Sequence, residues 1–552
     1  MPDGRNGCSN TTRRIGRPLL IPFKRSLLPP NQELKVSNMH HSMAHPILSC
    51  AETKILESKL FGGDESVEWQ AMLVAGAAIG RRALNDFLEI GGFPRDGRLL
   101  VLAGKGHNGG DALLAAAYIS QQYPEVQIEV LLVYGPKQLR PLSLRTWQQL
   151  QTEHSPKVKV VTLKSLRRSY DLCLDGLFGF QFHPPLDGTS IEVLEAVNAL
   201  PVRLRAAVDL PSGGDTPAAF RADFTYATGV LKQSLLAMPN AGRLRYLDLG
   251  WWVGSAKFSS ASKQAAYNPI TTDTYSGSDR VLTDGILQPL RGWRDPYTDK
   301  RGQGHLFVVA GSRHYPGAAL MTVMAALRSG AGLVSAFVPE SLVSAFAAQV
   351  PEAIWVGWPE TPDGGLALEG HHLLKERIAR ASALVVGPGM GREAETLALA
   401  ADIVKSSTVP VLVDADALQA SVIANSNGSL VLTPHLGEFS RISDGLELHD
   451  FATKTRATVV LKGPITRITA GDEVYHSIFG GPVLARGGSG DLLAGIIGAQ
   501  LAQNPHEVLP SVCRGVAWHG LAADALARTH GAVAVRTTQL LDFLGTALRL
   551  RS

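Results

Sequence analysis

The sequence predicts an α/β fold, two α/β domains in tandem, from three observations. At 552 residues the chain is too long for one hydrophobic core. Short apolar runs that close on glycine, proline or a polar turn alternate with segments of helical spacing, the pattern of βαβ units around a parallel sheet. The alternation lapses between Lys257 and Gly304, in sequence rich in Ser, Thr, Gly and charges, which places the domain boundary there.

In order along the chain, the apolar spacing from Ile47 to Leu88 is helical, in "AETKILESKLF" and "WQAMLVAGAAIGRRALNDFL". "GRLLVLAG" is then a strand, "DALLAAAYISQQY" an alanine-rich helix, and "VQIEVLLVYG", "YDLCLDGLFG" and "VRLRAAVDLPSG" are further strands with their turns. A second series runs through "GHLFVVAGS", the helix "GAALMTVMAALRSGAG", "LVSAFVP", "ALVVGPGMG", "VPVLVDADAL", "SLVLTPH", "ATVVLKGP" and "TRITAG". It ends in packed Ala/Gly-rich helices from "DLLAGIIGAQLA" to "SVCRGVAWHGLAADALARTHG", and no self-repeat relates the two halves.

Composition narrows the class. With 45% hydrophobic and 18% charged residues the chain reads as a globular, soluble protein. Cys8, Cys50, Cys173 and Cys513 are scattered without CxxC spacing, which argues against disulfides or a thiolate metal site and fits a cytoplasmic location. Residues 1–42 hold seven Lys/Arg against two Asp/Glu, leaving 46 basic and 47 acidic residues beyond them, so no nucleic-acid partner is expected. No apolar run reaches the length of a membrane span. The opening stretch is Arg-rich and acid-poor and reads as a disordered extension, with a transit peptide or an upstream translation start (Met39 and Met43 follow) as alternatives.

In the first half, "VLAGKGHNGGDALLAAAY" puts Gly104, Gly106, Gly109 and Gly110 between a strand and a helix, where backbone N–H groups can face an anion, or simply make a turn. Asn108 and Asp111 add an amide and a carboxylate. Asp175 in "CLDGLFG", and Asp209 with Ser212 in "AAVDLPSGGD", lie at other strand ends, where an open α/β sheet gathers its ligands. These oxygen donors suit a hard cation.

The stretches "GKGHNGGDALLAA", "LDGLFGFQFHPPLDG" and "VDLPSGGD" resemble the three motifs of the NAD(P)HX epimerase family, over about residues 47–250. The resemblance implies a Rossmann-like α/β/α domain that interconverts the R and S epimers of hydrated NADH or NADPH with a bound potassium ion. It implies potassium at Asn108, Asp175 and Ser212. It places the hydrate against His107, Asn108, Gly109, Gly110, Asp111, Gly179 and Asp209, the last being the candidate for proton transfer. A strand-end carboxylate bonding to backbone is the alternative for Asp209. His107 stands where an asparagine is usual, Ala112 replaces a glycine, and "GFQFHPP" is an unusual substrate loop.

The second half carries six small-residue corners after strands, which together suggest a phosphate-rich ligand along the sheet edge. In "GGSGDLLAG", Asp491 is either a base beside a phosphate cradle or a first-turn acid answering the helix dipole. The ordered set "GHLFVVAGSRHYPGAALMTVMAALRSGAGLVSAFVP", "LVVGPGMG", "VLVDADAL", "LTPHLGEFSRI", "VVLKGPITRI" and "GGSGDLLAGIIGAQL" resembles the NAD(P)H-hydrate dehydratase family of the ribokinase-like superfamily, over about residues 284–550. By that resemblance Ala318, Gly391, His435 and Asp491 contact the hydrate, and Lys462, Gly463, Pro464, Ile465, Thr466 and Gly490 hold ADP, which comes with magnesium. Asp491 is then the base for phosphorylation of the hydrate's hydroxyl, after which phosphate is lost. Arg486 either brings an extra positive charge near the phosphates or is a solvated loop arginine.

With both resemblances the chain divides into an extension over 1–42, an epimerase domain over 43–256, a linker over 257–283 and a dehydratase domain over 284–552. The implied activity is repair of hydrated NADH and NADPH: epimerisation, then ADP-dependent dehydration of the S form with release of AMP and phosphate, in a homo-oligomer. The alternative is a ribokinase-like vitamin-precursor kinase with a non-catalytic, ligand-binding first domain.

Overall fold

The computed structural model describes residues 43–253, 269–275, 277–424, 426 and 428–549. The extension expected over 1–42 and residues 257–268 of the expected linker lie outside the described residues.

The first half contributes β1 (Ala44–Leu48), β2 (Arg98–Ala103), β3 (Gln127–Leu132), β4 (Val158–Val160), β5 (Tyr170–Gly176), β6 (Val202–Val208), β7 (Phe224–Thr228), β8 (Leu231–Lys232) and β9 (Arg243–Leu247). Its principal helices are α1 (Cys50–Phe61), α2 (Glu65–Phe87), α3 (His107–Gln122), α4 (Pro141–Glu153) and α5 (Gly188–Asn198). Ser49 and Glu52 form a capping box at the start of α1, and Asp64 caps α2, so neighbouring side chains set where both helices begin. Seven strands make an all-parallel sheet in the order β4-β3-β2-β5-β6-β7-β9. The winding direction reverses between β2 and β5, which opens a crevice at their carboxyl ends.

The second half adds β10 (Asp279–Leu282), β11 (His305–Val309), β12 (Leu333–Pro339), β13 (Ile354–Trp358), β14 (Ala383–Val386), β15 (Val411–Val413), β16 (Leu430–Leu432), β17 (Ala457–Leu461), β18 (Thr466–Thr469) and β19 (Val474–Ser477). Helices α6 (Pro316–Arg328), α7 (Ala394–Ser406), α8 (Leu436–Ile442), α9 (Leu448–Thr455), α10 (Ser489–Gln503) and α11 (Val508–His530) cover its faces. The twelve-stranded sheet runs β13-β12-β11-β14-β15-β16-β17-β18-β19-β10-β1-β8. It is parallel from β13 to β17, antiparallel through β18 and β19, and reverses its winding between β11 and β14. The β14 run Ala383–Val386 is buried throughout, as a strand covered on both faces must be.

Two elements depart from the sequence reading. Residues 44–48 form a strand just where the helical spacing was expected to begin, because "AHPIL" is short, mostly apolar and buried from end to end between two partners. It pairs antiparallel with β10 and parallel with β8, and β10 itself falls within the stretch expected to be linker. The first half thus supplies the last two strands of the second half's sheet.

A buried ion network adds to this join. Arg245 on β9 bonds both carboxylate oxygens of Asp86 on α2 and of Asp524 on α11, all at 3.1 Å, and Arg528 on α11 lies 3.0 Å from Asp86. Burial disfavours the charge on Asp86, but Arg245, Arg82 and Arg528 outweigh it and hold the carboxyl far below the usual carboxylate range.

Candidate active sites

At the first switch point, the turn after β2 lies against the segments that follow β5 and β6. Asn108 binds the three together: its amide Nδ2 donates to the carbonyls of Phe178 (2.8 Å) and Val208 (2.7 Å). Asp175 is fully buried behind it. One of its oxygens accepts from the Ser212 hydroxyl (2.7 Å) and the Leu177 amide (3.2 Å), the other from the Ser212 amide (2.8 Å). Burial pushes the Asp175 carboxyl up to about 6, opposed by those hydrogen bonds. Asn108, Asp175 and Ser212 are therefore brought together as expected. A buried carboxylate among neutral oxygens, with no ion-pair partner among the described residues, suits a hard cation.

The glycines have a different reason from the one the sequence suggested. A Cβ on Gly104 would fall 1.9 Å from the Leu177 carbonyl oxygen, one on Gly109 2.4 Å from that of Gly104, and one on Gly110 2.3 Å from the Met72 methyl. They are glycines because segments touch there. Gly106 alone of the four faces open space, toward Arg140.

A cavity of about 490 Å³ opens beside this turn, lined by Glu57, Glu68, His107, Asn108, Asp111, Gly179, Phe180, Asp209 and Trp251 among others. His107 lies 3.8 Å from Glu68, and burial lowers the imidazole pKa. The unusual loop contributes an aromatic wall, with Phe178 and Phe182 stacked at 4.6 Å between centroids.

Asp209 sits at the end of β6 with φ of +67°, in a tight turn closed by the Leu210 amide on the Val208 carbonyl (2.8 Å). A non-glycine residue in this region costs about 1–3 kcal/mol, a strain that collects at functional sites. One oxygen, Oδ1, is ion-paired with the ammonium of Lys232 and accepts from the Thr228 hydroxyl (3.2 Å). The backbone-bonding alternative is represented by a 3.5 Å approach of the Thr228 amide. Sequence reasoning missed Lys232 and Glu57. Lys232 lies in "VLKQ" with no motif around it, and Glu57 reads as an ordinary helix-surface position. Burial pushes Glu57 up to about 7, with Asp209 and Glu68 adding to the effect and Lys232 opposing it.

At the second switch point, α10 starts on Gly488, whose φ of +87° favours glycine and whose Cβ would meet the Met321 sulfur at 2.5 Å. Asp491 lies in the first turn, and the Thr322 hydroxyl lies 3.2 Å from its carbonyl and 2.9 Å from that of Ala318. Burial, then the charge of Asp414, pushes the Asp491 carboxyl up to about 6, with Lys462 opposing. Lys462 donates to Asp414 at 3.0 Å and lies 3.9 Å from Glu438. Asp414 is buried, also accepts from the Thr433 hydroxyl (2.7 Å), and was missed because "DADAL" offered two acids without distinguishing them.

Gly490 would place a Cβ 3.5 Å from the Lys462 nitrogen, so two residues assigned to one nucleotide adjoin. Gly463 and Pro464 are exposed, and Ile465 and Thr466 half-buried, in the turn from β17 to β18. Gly391, Gly463 and Gly487 meet nothing within 3.5 Å, unlike the crowded glycines of the first site, and leave room for a ligand. Gly389 packs on Ala318, which joins the turns after β11 and β14, and the Gly391 amide donates to Asp416 at 3.1 Å, which joins the turns after β14 and β15.

Two residues have roles that sequence reasoning did not anticipate. His435 caps α8: its Nδ1 accepts from the amides of Gly437 (3.0 Å) and Glu438 (3.2 Å), which leaves Nε2 as the protonated nitrogen. Arg486 is half-buried and bonded to backbone. Its guanidinium donates to the carbonyls of Ala532 (2.5 Å), Val533 (2.7 Å) and Val535 (2.9 Å) and clamps the segment after α11.

Family models match both halves: one described as NAD(P)H-hydrate dehydratase over residues 306–545, and one described as YjeF-related protein N-terminus over 69–234. The bifunctional NAD(P)H-hydrate repair enzyme Nnr of Gloeobacter violaceus is 33% identical over 513 residues, 89% of this chain and 95% of that protein. The protein of the same name from Thermofilum pendens is 31% identical over 536 residues, 90% of this chain and 95% of its own. Among solved structures, the ADP/ATP-dependent NAD(P)H-hydrate dehydratase of Bacillus subtilis, co-crystallized with ATP and Mg2+, is 27% identical with a TM-score of 0.42, covering 48% of this chain and 96% of that one.

Proposed function

The chain belongs to the family of bifunctional NAD(P)H-hydrate repair enzymes, and on that premise we propose how its two sites divide the work. The protein interconverts the R and S forms of hydrated NADH and NADPH and dehydrates the S form with ADP. The observation that carries this reading is that each family model covers most of one sheet, and each sheet collects its motif residues at its switch point. The working units we assign are residues 43–256 and 284–552, in a symmetric homo-oligomer acting in the cytoplasm. Among the described residues no helix is long and apolar enough to cross a membrane.

In the second unit Asp491, ionised at neutral pH because its carboxyl lies at about 6, takes the proton of the hydrate's hydroxyl. The hydroxyl oxygen then bonds to the terminal phosphorus of ADP and AMP departs. Backbone amides at the start of α10 and the Lys462 ammonium face the phosphoryl charge. The ring nitrogen's electron pair expels the phosphate, and loss of a proton from the adjoining carbon restores the reduced nicotinamide ring. Ala318, Gly391 and the exposed edge of His435 shape the hydrate's side, and residues 462–466 with Gly490 hold the nucleotide. Magnesium bound to the nucleotide would neutralise its phosphates. In the first unit Asn108, Asp175 and Ser212 would hold potassium, which supplies positive charge beside the hydrate, while His107 to Asp111, Gly179 and Asp209 enclose the ring.

Incubating the full chain with mixed R and S hydrate and ADP tests the reading. Complete conversion to NADH or NADPH, with equimolar AMP and phosphate, is expected. Conversion that stops at the S fraction would remove the epimerase activity, and a stable phosphorylated product would point to a kinase.

A further inference from the structure

We propose that the first site exchanges protons through two carboxylates, Asp209 as the base and Asp111 as the acid, with Lys232 as the positioning residue for Asp209. The proposal rests on the epimerase reading above and assigns its chemistry. Both carboxylates line the 490 Å³ cavity, from different elements: Asp209 from the end of β6 and Asp111 from α3. Each keeps one oxygen buried without a hydrogen-bond partner among the described residues, Oδ2 of Asp209 and Oδ1 of Asp111. Orphaned buried oxygens are rare and call for a reason. Two of them in one cavity have a common reason if each awaits a substrate proton.

Their surroundings differ in a way that sorts the roles. Asp209 has Lys232 and Thr228 on its other oxygen, so it is the member whose negative charge is balanced. Asp111 has no ion pair among the described residues. Burial first, then the charges of Asp209 and Glu57, push its carboxyl well above the usual range against the pull of Lys232, which favours the protonated form that an acid needs. Glu57 comes from α1 and Lys232 from β8; Glu68 of α2 and His107 of α3 also line the cavity.

In the hydrate the hydroxyl-bearing carbon is bonded to the ring nitrogen. Asp209 removes the hydroxyl proton, the O–H electron pair becomes the second bond of a carbonyl, and the C–N bond breaks with its pair going to nitrogen. Asp111 protonates that nitrogen. Rotation turns the carbonyl over, and the nitrogen pair adds to its other face while the N–H proton returns to Asp111. Asp209 gives its proton back to oxygen, so nothing is consumed. Because β8 pairs with β1 in the twelve-stranded sheet, Lys232 reaches this site from the join between the halves.

The test measures R-to-S exchange by the full chain, corrected for the spontaneous rate, from about pH 6 to about pH 9, where an acid and a base together give a bell-shaped profile. Asp209→Asn and Asp111→Asn should each slow exchange by about 100-fold or more. Asp111→Asn should lose the alkaline limb, and Lys232→Met should keep both limbs with the acid limb moved to higher pH. ADP-dependent dehydration of the S hydrate by the same proteins reports that they are folded. A wild-type profile that stays flat through the alkaline range, or an Asp111→Asn protein that keeps the alkaline limb and a rate within a few fold of wild type, would overturn the assignment of Asp111. Absence of any wild-type exchange above the spontaneous rate would instead overturn the epimerase reading, and the proposal with it.

Discussion

Asp491 and Asp414 share one ammonium, Lys462, and Asp414 takes the hydrogen bond. Asp491 is left partly desolvated, with its carboxyl at about 6, so two effects should separate on substitution. Dehydration by the wild type should fall as pH drops through about 6, and Asp491→Asn should lose about 100-fold or more at neutral pH, measured as NADH formed from the S hydrate. Stability should move the other way. A carboxyl whose folded pKa is raised destabilises the fold once pH passes above its unfolded value, so Asp491→Asn should melt higher than wild type at pH above about 6 and equally at pH below about 4. His435 makes a similar separation possible. His435→Ala should cost about 1 kcal/mol through the lost cap, while His435→Asn, which can still cap, should leave the melting temperature in place and report any contact with the hydrate through KM alone.

The two glycine-rich turns look alike in sequence and are opposites in the folded chain. Gly104 is in backbone contact with the loop after β5, whereas a Cβ on Gly490 would make only ordinary contacts, with Lys462 and Asp414. Gly104→Ala should therefore lower stability by about 1–3 kcal/mol in a thermal melt and abolish exchange, because the β2 and β5 ends must separate. Gly490→Ala should leave the melt unchanged and raise KM for ADP. The turns and their flanking strands were legible from "VLAGKGHNGG" and "GGSGDLLAG", since glycines between an apolar run and a helical spacing mark a strand-to-helix corner. Which corner is crowded and which is open was not legible, because the atoms that crowd Gly104 belong to Leu177. Strand β1 was missed for a related reason: five buried residues have no period of their own, and their partners β8 and β10 are far away in sequence.

At the scale of the molecule, the halves are joined by β1 and by the carboxylates Asp86 and Asp524 around Arg245. Removing one member of a buried ion cluster leaves the others uncompensated, so Asp524→Ala should cost about 3–5 kcal/mol and split a single calorimetric transition into two. The pull of three arginines on Asp86 gives the join a pH dependence: its contribution is full above about pH 4, where the unfolded carboxyl is ionised, and declines as pH falls toward the depressed folded value. Sequence by itself determined the α/β class, the two-part organisation, the order of the strands that carry the motifs, and the corners at which both sites lie. These follow from periodicity and turn chemistry, which act between near neighbours. Only the tertiary structure decided that Lys232 faces Asp209, that Asp414 rather than Asp491 takes the Lys462 hydrogen bond, that Arg486 clamps a loop, and that Asp86 meets Arg528 across 442 residues of chain. Ionisation and proton transfer depend on distance and burial, and strand order, which no local pattern encodes, sets both.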